Sequence, residues 1–536
     1  MLKKIAVIDI GSNSIRMVIH GMNGKRGLRE LHNVKEVARL SSHMDEQNNL
    51  TDEGFSILRS VLLRFQEVID FHEVETVQAA ATAAIRNASN CKEIIQFITD
   101  ETNMPVRVLS GDEEAYYGFL AVQQSTFLND GITVDIGGGS TEITLFQDKK
   151  IIHSHSFPFG ALTLKKEFVD SYKKEHKALE AVKEKAKNEF KTLPWLLSTE
   201  DLPIVGIGGS ARNLSLIHQA SIDYPLSGLH QYTMVPDEMQ SVIDLLSDTP
   251  EEKRDSIEGL SKDRSDTILP AAVIIQSLIE YTSAPYFMMS NKGLRDGLLM
   301  EEMQKEHPEI KTIEVEEESF YQLKEEFEIN NVNVEQVGFI ADHLYTQLLP
   351  HLPEELIANN QQELLRKSVN VLYIGEYISY EASSQHTFYL LTNRSIDGIS
   401  HRDRMAMAFI ASFKSKSWLH SFSKPFKQQI DDKLLAQYEL LGSILKLAYA
   451  LNRTNRNVIE RLDIEKQRKE LHFTFYSADD VSPVFEMMKV KNIKSIWKKS
   501  LTAPLLFTFC NQIFIRHLHC CANVCSGAFF TFPGPL

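Results

Sequence analysis

The sequence predicts an α/β protein whose N-terminal half holds two related domains and whose C-terminal half is mostly helical. Residues 5–20 and 132–146 each read as an apolar run, an Asp-Ile-Gly turn and a second alternating run, which is typical of two strands joined by a tight loop. Residues 204–213 add a short apolar run that leads into a glycine turn and a helical pattern. Farther on, apolar residues recur at helical spacing in 334–349 and 434–453.

Length and composition are those of a globular protein with several domains. The chain has 536 residues, 43% of them apolar, and its 57 basic and 72 acidic residues leave a net charge of −15. This balance argues against a dedicated nucleic-acid-binding protein, because such proteins need a basic face. It leaves room for a local basic cleft that binds a small polyanion. We expect neither a signal peptide nor a membrane anchor, and the single cysteine before residue 487, Cys91, fits a cytoplasmic location.

The two strand–loop–strand segments are copies of one pattern. A shift of 126 positions aligns four identical pairs, which are Asp9 with Asp135, Ile10 with Ile136, Gly11 with Gly137, and Ser14 with Ser140. Glycines in such loops let backbone N–H groups converge on an anion, and an aspartate at the strand end can hold magnesium. Each loop alone reads equally well as a glycine-rich hairpin turn with a capping aspartate. Two loops at matching positions favour phosphate binding.

The third glycine segment, IVGIGGSARN at 204–213, is a weaker signal. Its strand, glycine turn and helix place a helix N-terminus at the loop. It lacks the GK[ST] of a Walker loop and is a poor dinucleotide fingerprint.

A carboxylate cluster follows the predicted strand at 106–109. Ser110 and Glu113 have the spacing of a helix capping box, which gives Glu113 a structural role. Glu114 then reads either as a surface acid in the first helical turn or as a general base that acts on water. The residues alone do not choose among Asp112, Glu113 and Glu114.

Together these motifs resemble the exopolyphosphatase / guanosine pentaphosphate phosphohydrolase (Ppx/GppA) family over roughly residues 3–302, and more weakly to about 490. The motifs that carry the resemblance are DIGSNSIR at 9–16, ATAAIRNASN at 81–90, SGDEEA at 110–115, DIGGGSTE at 135–142, SFPFGALTL at 156–164, GIGGSARN at 206–213, LPAAVIIQSL at 269–278 and NKGLRDGLL at 291–299. The resemblance implies an α/β fold of two ribonuclease-H-like domains, of the superfamily of actin, sugar kinases and chaperone ATPases. It also implies an active site in the cleft between them.

The resemblance also implies roles for individual residues. The implied catalytic residues are Glu114, the general base, with Asp135 and Glu142. The implied magnesium ligands are Asp9, Asp135 and Glu142. The implied phosphate-binding residues are Gly11, Ser12, Asn13, Ser14, Arg86, Gly137, Gly138, Gly139, Ser140, Gly208, Gly209 and Ser210. A long polyanion also needs a basic path, for which the candidates are Arg107, Lys165, Lys166, Arg212, Arg264, Lys292 and Arg295.

The expected activity is that of an exopolyphosphatase, which releases terminal orthophosphate from inorganic polyphosphate by magnesium-assisted hydrolysis. One alternative is a guanosine pentaphosphate (pppGpp) 5′-phosphohydrolase, which shares the catalytic residues. Another is a non-catalytic nucleotide-binding regulator. A kinase of the same superfamily is disfavoured by the SGDEEA and ATAAIRNASN motifs.

The C-terminal half predicts a domain without catalysis of its own. We expect domains at 1–125 and 126–303, a loop-like linker at 304–320, a helical domain at 321–490 and a tail at 491–536. The helical domain resembles phosphohydrolases named for a His-Asp (HD) pair. Its ligands are lost, since Leu372-Tyr373 and Gln385-His386 stand where His-Asp and His-His are expected. A homodimer is compatible with such a domain.

The tail departs in composition from the rest of the chain. It carries four of the five cysteines and no acidic residue. A shifted reading frame or a divergent, disordered end explains this better than a zinc site, because the spacing of His517, His519, Cys520, Cys521 and Cys525 matches no paired arrangement.

Overall fold

The computed structural model describes most of the chain and divides it into two compact units. The described residues are 2–23, 27–102, 104–172, 175–199, 201–468, 470–478, 481–490 and 505–511. The first unit comprises Met1–Tyr224, Gly228–Gln322 and Ser395–Ser400. The second comprises Pro225–Ser227, Leu323–Arg394 and His401–Leu536.

The first lobe of the first unit is a five-stranded sheet covered by helices. Its strands are β1 (Lys3–Ile10), β2 (Ser14–Met22), β3 (Leu28–Val37), β4 (Thr76–Ala81) and β5 (Val106–Val108), and its helices are α1 (Asp52–Phe71), α2 (Ala83–Arg86), α3 (Cys91–Thr102) and α4 (Gly111–Gln123). The strand order is β3-β2-β1-β4-β5, with β1, β2 and β3 antiparallel and β1, β4 and β5 parallel. Alternating Ile and Val residues of β1 are buried on both faces, so this strand lies at the centre of the core.

The second lobe repeats this topology. Its strands are β6 (Gly131–Ile136), β7 (Thr141–Gln147), β8 (Lys150–Phe157), β9 (Ile204–Ile207), β10 (Tyr232–Met234) and β11 (Phe287–Met289). Its helices are α5 (Ala161–Leu164), α6 (Glu175–Phe190), α7 (Gly208–Ser221), α8 (Pro236–Asp248) and α9 (Ile268–Thr282). The next helix, α10 (Leu294–Glu306), packs against β1 and α4 of the first lobe. The order β10-β11-β9-β6-β7-β8 matches the first lobe strand for strand, with β10 added at one edge. The predicted repeat of two ribonuclease-H-like domains is therefore confirmed.

Short 3₁₀ segments complete the first unit. They are Leu40–Ser42, Pro194–Ser198, Glu251–Ser256, Lys262–Arg264 and Pro308–Thr312. The last of these, together with helix α11 (Val315–Glu326), corrects the expected loop-like linker at 304–320. The glutamates at 316–318 that suggested a linker occupy the first turn of α11, where the helix dipole stabilises acidic side chains.

The second unit is mostly helical, as the apolar periodicity predicts. After α11 come α12 (Asn331–Leu348), α13 (Gln361–Val369), α14 (Ser383–Asn393), α15 (His401–Ala411), α16 (Lys416–Phe422) and α17 (Asp432–Leu451). By length and composition α17 could cross a membrane, but 78% of its most apolar stretch is buried inside the protein, as in a core helix. A small sheet follows, of β12 (Ile459–Gln467), β13 (Glu470–Ser477) and β14 (Leu505–Asn511).

Strand β14 corrects part of the expectation for the tail. Residues 491–536 are expected to be disordered, yet Leu505–Asn511 pairs in parallel with β13. Its apolar side chains explain the pairing, because Phe507 contacts the rings of Phe473 and Phe475. The histidines and cysteines weighed as zinc ligands, His517 to Cys525, lie outside the described residues.

Candidate active site

The two repeated loops adopt the same turn. In the first lobe the Gly11 N–H donates to the Ser14 carbonyl at 3.1 Å, and in the second the Gly137 N–H donates to the Ser140 carbonyl at 3.0 Å. Each turn joins the first two antiparallel strands of its sheet. The sequence identity between the loops is therefore an identity of backbone conformation.

The loops face each other across a cavity of about 340 Å³. A Cβ placed on Gly138 would lie 3.4 Å from the Cβ of Ser12, so the two turns approach closely at one end. The predicted residues that line the cavity are Asp9, Gly11, Ser12, Asn13, Ser14, Glu114, Asp135, Gly137, Gly138, Gly139, Ser140, Glu142, Gly208 and Gly209. The cleft between the lobes thus brings together nearly all the residues that the motifs indicate.

The third glycine segment supports the second loop from behind. Strand β9 leads directly into α7 at Gly208, whose φ of +82° lies in the left-handed region. A Cβ at Gly208 would lie 2.5 Å from Oδ1 of Asp135, so only glycine leaves space for that carboxylate. Ser210 is buried, outside the cavity lining, and its Oγ accepts a hydrogen bond from Arg264 at 3.3 Å. Ser210 therefore supports Arg264, and its predicted contact with phosphate stays a prediction.

Three of the acidic side chains repel one another in the cleft. Burial raises the pKa of Asp135 to about 6, and the neighbouring Asp9 carboxylate adds to the shift. Burial followed by the charge of Asp135 raises the pKa of Glu142, whose Oε1 accepts a hydrogen bond from Ser156 at 2.8 Å. Burial also raises the pKa of Asp9, against the opposing effect of Arg295 at 3.0 Å.

The structure separates the glutamates at the start of α4. The predicted capping box forms, because the Ser110 Oγ accepts from the Glu113 N–H at 3.1 Å and Glu113 accepts from the Ser110 N–H at 2.8 Å. Asp112 is exposed. Glu114 lines the cavity, and burial together with the charge of Glu142 raises its pKa. Of the three acidic residues, only Glu114 faces the cavity.

Arg86 has a different partner from the one predicted. It forms an ion pair with Glu114, and its Nη1 also donates to the Leu109 carbonyl at 2.8 Å. Arg86 is absent from the residues that line the cavity between the loops. It holds Glu114 in place, and its predicted contact with phosphate stays a prediction.

Basic residues also line the cavity. Four of the seven candidates are among the lining residues, namely Arg212, Arg264, Lys292 and Arg295. Arg107, Lys165 and Lys166 are not. Sequence reasoning missed Arg16 and Lys35, which also line it. The signal for Arg16 was available, because residues two apart on a strand share a face and Arg16 follows Ser14 on β2.

The arginines repel one another as the carboxylates do. After burial, the main causes that lower the pKa of Arg16 are the charges of Arg295 and Arg212. Arg212 likewise has its pKa lowered by burial and then by Arg295 and Arg264, and it makes no ion pair with any described residue. A cluster of half-buried guanidinium groups that repel one another is suited to an anionic ligand.

The carboxylates fit a cation that is completed by other ligands. Within the described ranges, no group of three acidic, histidine or cysteine side chains is close enough to hold a metal ion alone. Asp9, Asp135 and Glu142 therefore do not form a closed three-ligand shell. Asp135 has neither an ion pair nor a hydrogen bond to a described side chain, and such a buried carboxylate suits magnesium, which usually binds one or two carboxylates plus substrate phosphates.

The family models match both parts of the chain. The model of the Ppx/GppA phosphatase family matches residues 17–306, and the model of Ppx/GppA phosphatase domain III matches residues 315–489. The chain belongs to the Ppx/GppA phosphatase family. As a Ppx/GppA-family phosphatase it is a hydrolase, and its helical second unit is the family's domain III.

Individual relatives share about one identical residue in four with this chain over the aligned regions. A guanosine-5′-triphosphate,3′-diphosphate pyrophosphatase of Vibrio parahaemolyticus is 24% identical over 76% of this chain and 79% of that protein. Exopolyphosphatase 2 of Mycobacterium tuberculosis is 25% identical over 56% of this chain and 98% of that protein. A bifunctional 3-dehydroquinate synthase/phosphatase of Fusobacterium nucleatum is 25% identical, and the chain spans 46% of its length.

The structural comparison agrees on the fold. The crystal structure of the Aquifex aeolicus Ppx/GppA family member is 26% identical, with a TM-score of 0.51, and the match covers 57% of this chain and 99% of that one. The match thus includes the whole of that solved Ppx/GppA protein.

Domain III of this Ppx/GppA protein keeps the helical scaffold at the degenerate HD positions. The hydroxyl of Tyr373 donates to the Phe413 carbonyl at 2.8 Å, so the side chain at the expected aspartate position binds the scaffold itself. Among the described residues, His386 has no second and third ligand beside it.

Proposed function

We propose that this Ppx/GppA phosphatase is an exopolyphosphatase that releases terminal orthophosphate from inorganic polyphosphate, with Glu114 as the general base. The observation that carries the proposal is the presence of both kinds of charge in one cavity. Glu114, Asp135 and Glu142 line it, and so do the arginines Arg16, Arg212 and Arg295. A phosphate chain can therefore be bound by cations while its terminal group meets the carboxylates.

Glycine loops contribute the binding geometry. The two turns line one cavity, and their glycines carry no Cβ, which lets terminal phosphate oxygens approach the backbone. Hydrolysis of a phosphoanhydride needs positioning and charge neutralisation more than covalent help. The facing turns supply the positioning.

Glu114 supplies the proton acceptor in this proposal. A water next to Glu114 gives up a proton to the carboxylate while its oxygen attacks the terminal phosphorus, and the bond to the bridging oxygen breaks. Because burial raises the pKa of Glu114, its carboxylate is a stronger base than an exposed glutamate. The ion pair with Arg86 keeps the carboxylate oriented.

Magnesium is proposed as the cofactor, with Asp135 and Asp9 as the residues that would hold it and Glu142 beside them. When bound, the ion supplies neutralisation of the charge that develops on the phosphate oxygens.

The second candidate is the hydrolysis of guanosine pentaphosphate, since relatives of both names match the chain. One observation favours polyphosphate. None of the described residues that line the cavity is aromatic, so the cavity offers a guanine base no aromatic ring to stack on.

Substitution of Glu114 tests the proposal. Glu114→Gln removes the base but keeps the shape and a hydrogen-bond acceptor for Arg86, so we expect the turnover of long-chain polyphosphate to fall by about 10²–10⁴-fold. Binding of tripolyphosphate, measured by calorimetry, is expected to stay within a few fold of wild type. Asp112→Asn, at an exposed position of the same helical turn, is the matched control.

The same assay separates the two substrates. Phosphate release is measured with polyphosphate and with guanosine pentaphosphate, each with and without magnesium. Full turnover in Glu114→Gln would remove Glu114 from the mechanism. A wild-type preference for guanosine pentaphosphate would select the second candidate, and no release from either substrate would leave a non-catalytic regulator.

A further inference from the structure

The short segment Ser395–Ser400 belongs to the first unit, although the residues on both sides of it belong to the second. Its backbone is anchored at Gly398, whose N–H donates to the Ser125 carbonyl at 2.9 Å. Gly398 has a φ of +75°, and a Cβ there would lie 3.0 Å from the backbone nitrogen of Glu316. The segment thus reaches this position by a turn that disfavours any other residue.

Two consecutive buried polar residues hold the segment. The Gln231 side chain donates to the Ile396 carbonyl at 3.2 Å and to the Ile399 carbonyl at 2.9 Å, and it is 1% exposed. His230, 2% exposed, lies next to it. Burying a polar side chain is costly unless it is hydrogen-bonded, so the hydrogen bonds of Gln231 hold the segment specifically in this place.

Asp397 is the acidic residue of the segment, and it reaches the cavity wall. Its carboxylate lies 3.6 Å from the Lys292 ammonium and 3.5 Å from Nε2 of His230. Lys292 lines the cavity, and its only other described ion pair is with Asp296 at 3.8 Å. Asp397 is also the largest cause of the raised pKa of Lys292.

His230 binds the backbone beside Lys292 and lies next to the same carboxylate. Its Nδ1 accepts a hydrogen bond from the Asn291 N–H at 3.2 Å, so the ring proton is on Nε2, which faces the Ser125 carbonyl at 2.7 Å. Asn291, Lys292 and Gly293 all line the cavity. Both groups that Asp397 touches therefore belong to, or hold, one loop of the cavity wall.

We infer that Asp397 is a positioning residue for the anion-binding cavity, which holds the Lys292 ammonium and its loop in place for the substrate. The inference rests on the proposed function only in requiring a polyanionic ligand. Asp397 is not among the residues that line the cavity, so it acts through Lys292. A lysine side chain that loses its nearer carboxylate samples more rotamers, and its contribution to binding falls.

The expected effect is on binding and not on the chemical step. Asp397→Asn keeps the shape and an oxygen that faces His230, but removes the charge that holds Lys292. We expect KM for polyphosphate to rise by about 3- to 10-fold and kcat to stay within about twofold, because Lys292 binds ground state and transition state alike. Asp397→Glu, which restores the charge, is expected to recover at least half of the loss.

A double-mutant cycle tests whether Asp397 acts through Lys292. Lys292→Met is expected to raise KM by at least as much as Asp397→Asn, and Asp397→Asn is expected to add nothing in the Lys292→Met background. Glu326→Gln is the matched control, because it breaks the ion pair with Arg394, the residue before the segment, without touching Lys292. It should leave KM unchanged.

Several outcomes would overturn the inference. An unchanged or lowered KM in Asp397→Asn, additive effects in the cycle, or an equal effect of Glu326→Gln would each do so. An unchanged KM in Lys292→Met would do so as well, and this test does not depend on whether an Asp397 variant folds. The dissociation constant of tripolyphosphate, measured on the same variants, keeps the test separate from the proposed function. A wild-type protein that binds tripolyphosphate but does not hydrolyse polyphosphate refutes the proposed function and leaves the cycle measurable.

Discussion

Asp135 carries an electrostatic cost that its replacement should remove. Its carboxylate is buried beside Asp9, and its pKa rises from 3.8 to about 6 in the folded protein. The folded state therefore holds its proton more tightly than the unfolded state, and stability falls as pH rises from about 4 to 6. A difference of about 2 pKa units, at 1.36 kcal/mol per unit, means that above about pH 6 the charge lowers the stability of the folded protein by at most about 3 kcal/mol.

We expect Asp135→Asn to stabilise the protein by about 1–3 kcal/mol at pH 7.5 while it abolishes turnover. The asparagine keeps the shape beside Gly208 and carries no charge. At pH 4 the difference should disappear, because the aspartate is then mostly protonated in the folded state. Stabilisation by an active-site substitution is the signature of a charge that is held in place for a ligand.

Urea unfolding, followed by tryptophan fluorescence in EDTA and without phosphate, measures this. The chain has three tryptophans, and replacing Trp418 and Trp497 by Phe leaves Trp195, which packs against the core of the second lobe, to report the first unit. Asp112→Asn, which removes one exposed charge, is the control and should change little. A destabilised or unchanged Asp135→Asn protein at pH 7.5, or a gain that persists at pH 4, would refute the reasoning.

Two further substitutions probe the cavity. Arg212→Ala should raise KM for polyphosphate by about tenfold, because it removes an unpaired guanidinium. Steady-state kinetics at several salt concentrations should show that KM depends less on salt in this variant. Lys166→Ala, outside the cavity lining, is the control, and an equal effect of both substitutions would contradict the assignment. Gly208→Ala should cost more than 1 kcal/mol of stability and most of the activity, because the new Cβ would contact Asp135 and the backbone φ of +82° disfavours alanine. Thermal unfolding and turnover measure this, and a variant that behaves like wild type would exclude the geometry.

The repeat in the sequence predicts more of the structure than any single motif does. The aligned Asp-Ile-Gly segments predict both hairpins, and the hairpins become equivalent strands of two sheets with the same order. The capping box similarly predicts the start of α4 and assigns Glu113 to the helix end. These features are local or repeated, so residue spacing is enough to find them.

Other features depend on contacts between distant residues, which spacing does not contain. Arg86 is predicted to bind phosphate, yet it pairs with Glu114, 28 residues away. The ion pair between Lys292 and Asp397 joins residues more than 100 positions apart, and no motif marks either partner as belonging to the other. Strand β14 of the tail was not predicted, because the unusual composition of the tail obscured the alternating apolar pattern of the segment that pairs with β13.

One position of the repeat explains how two equal hairpins form an unequal site. The shift of 126 that aligns Asp9 with Asp135 also aligns Arg16 with Glu142, and each is the cross-strand partner of its aspartate. The two lobes therefore present opposite charges at equivalent places in one cleft. On the proposed function, this difference sets the direction of the substrate. The Arg16 position binds the chain of phosphates, and the Glu142 position, whose charge raises the pKa of Glu114, receives the cation and the terminal group that water attacks. A symmetric pair of hairpins would bind phosphate equally at both ends and would give water no preferred target.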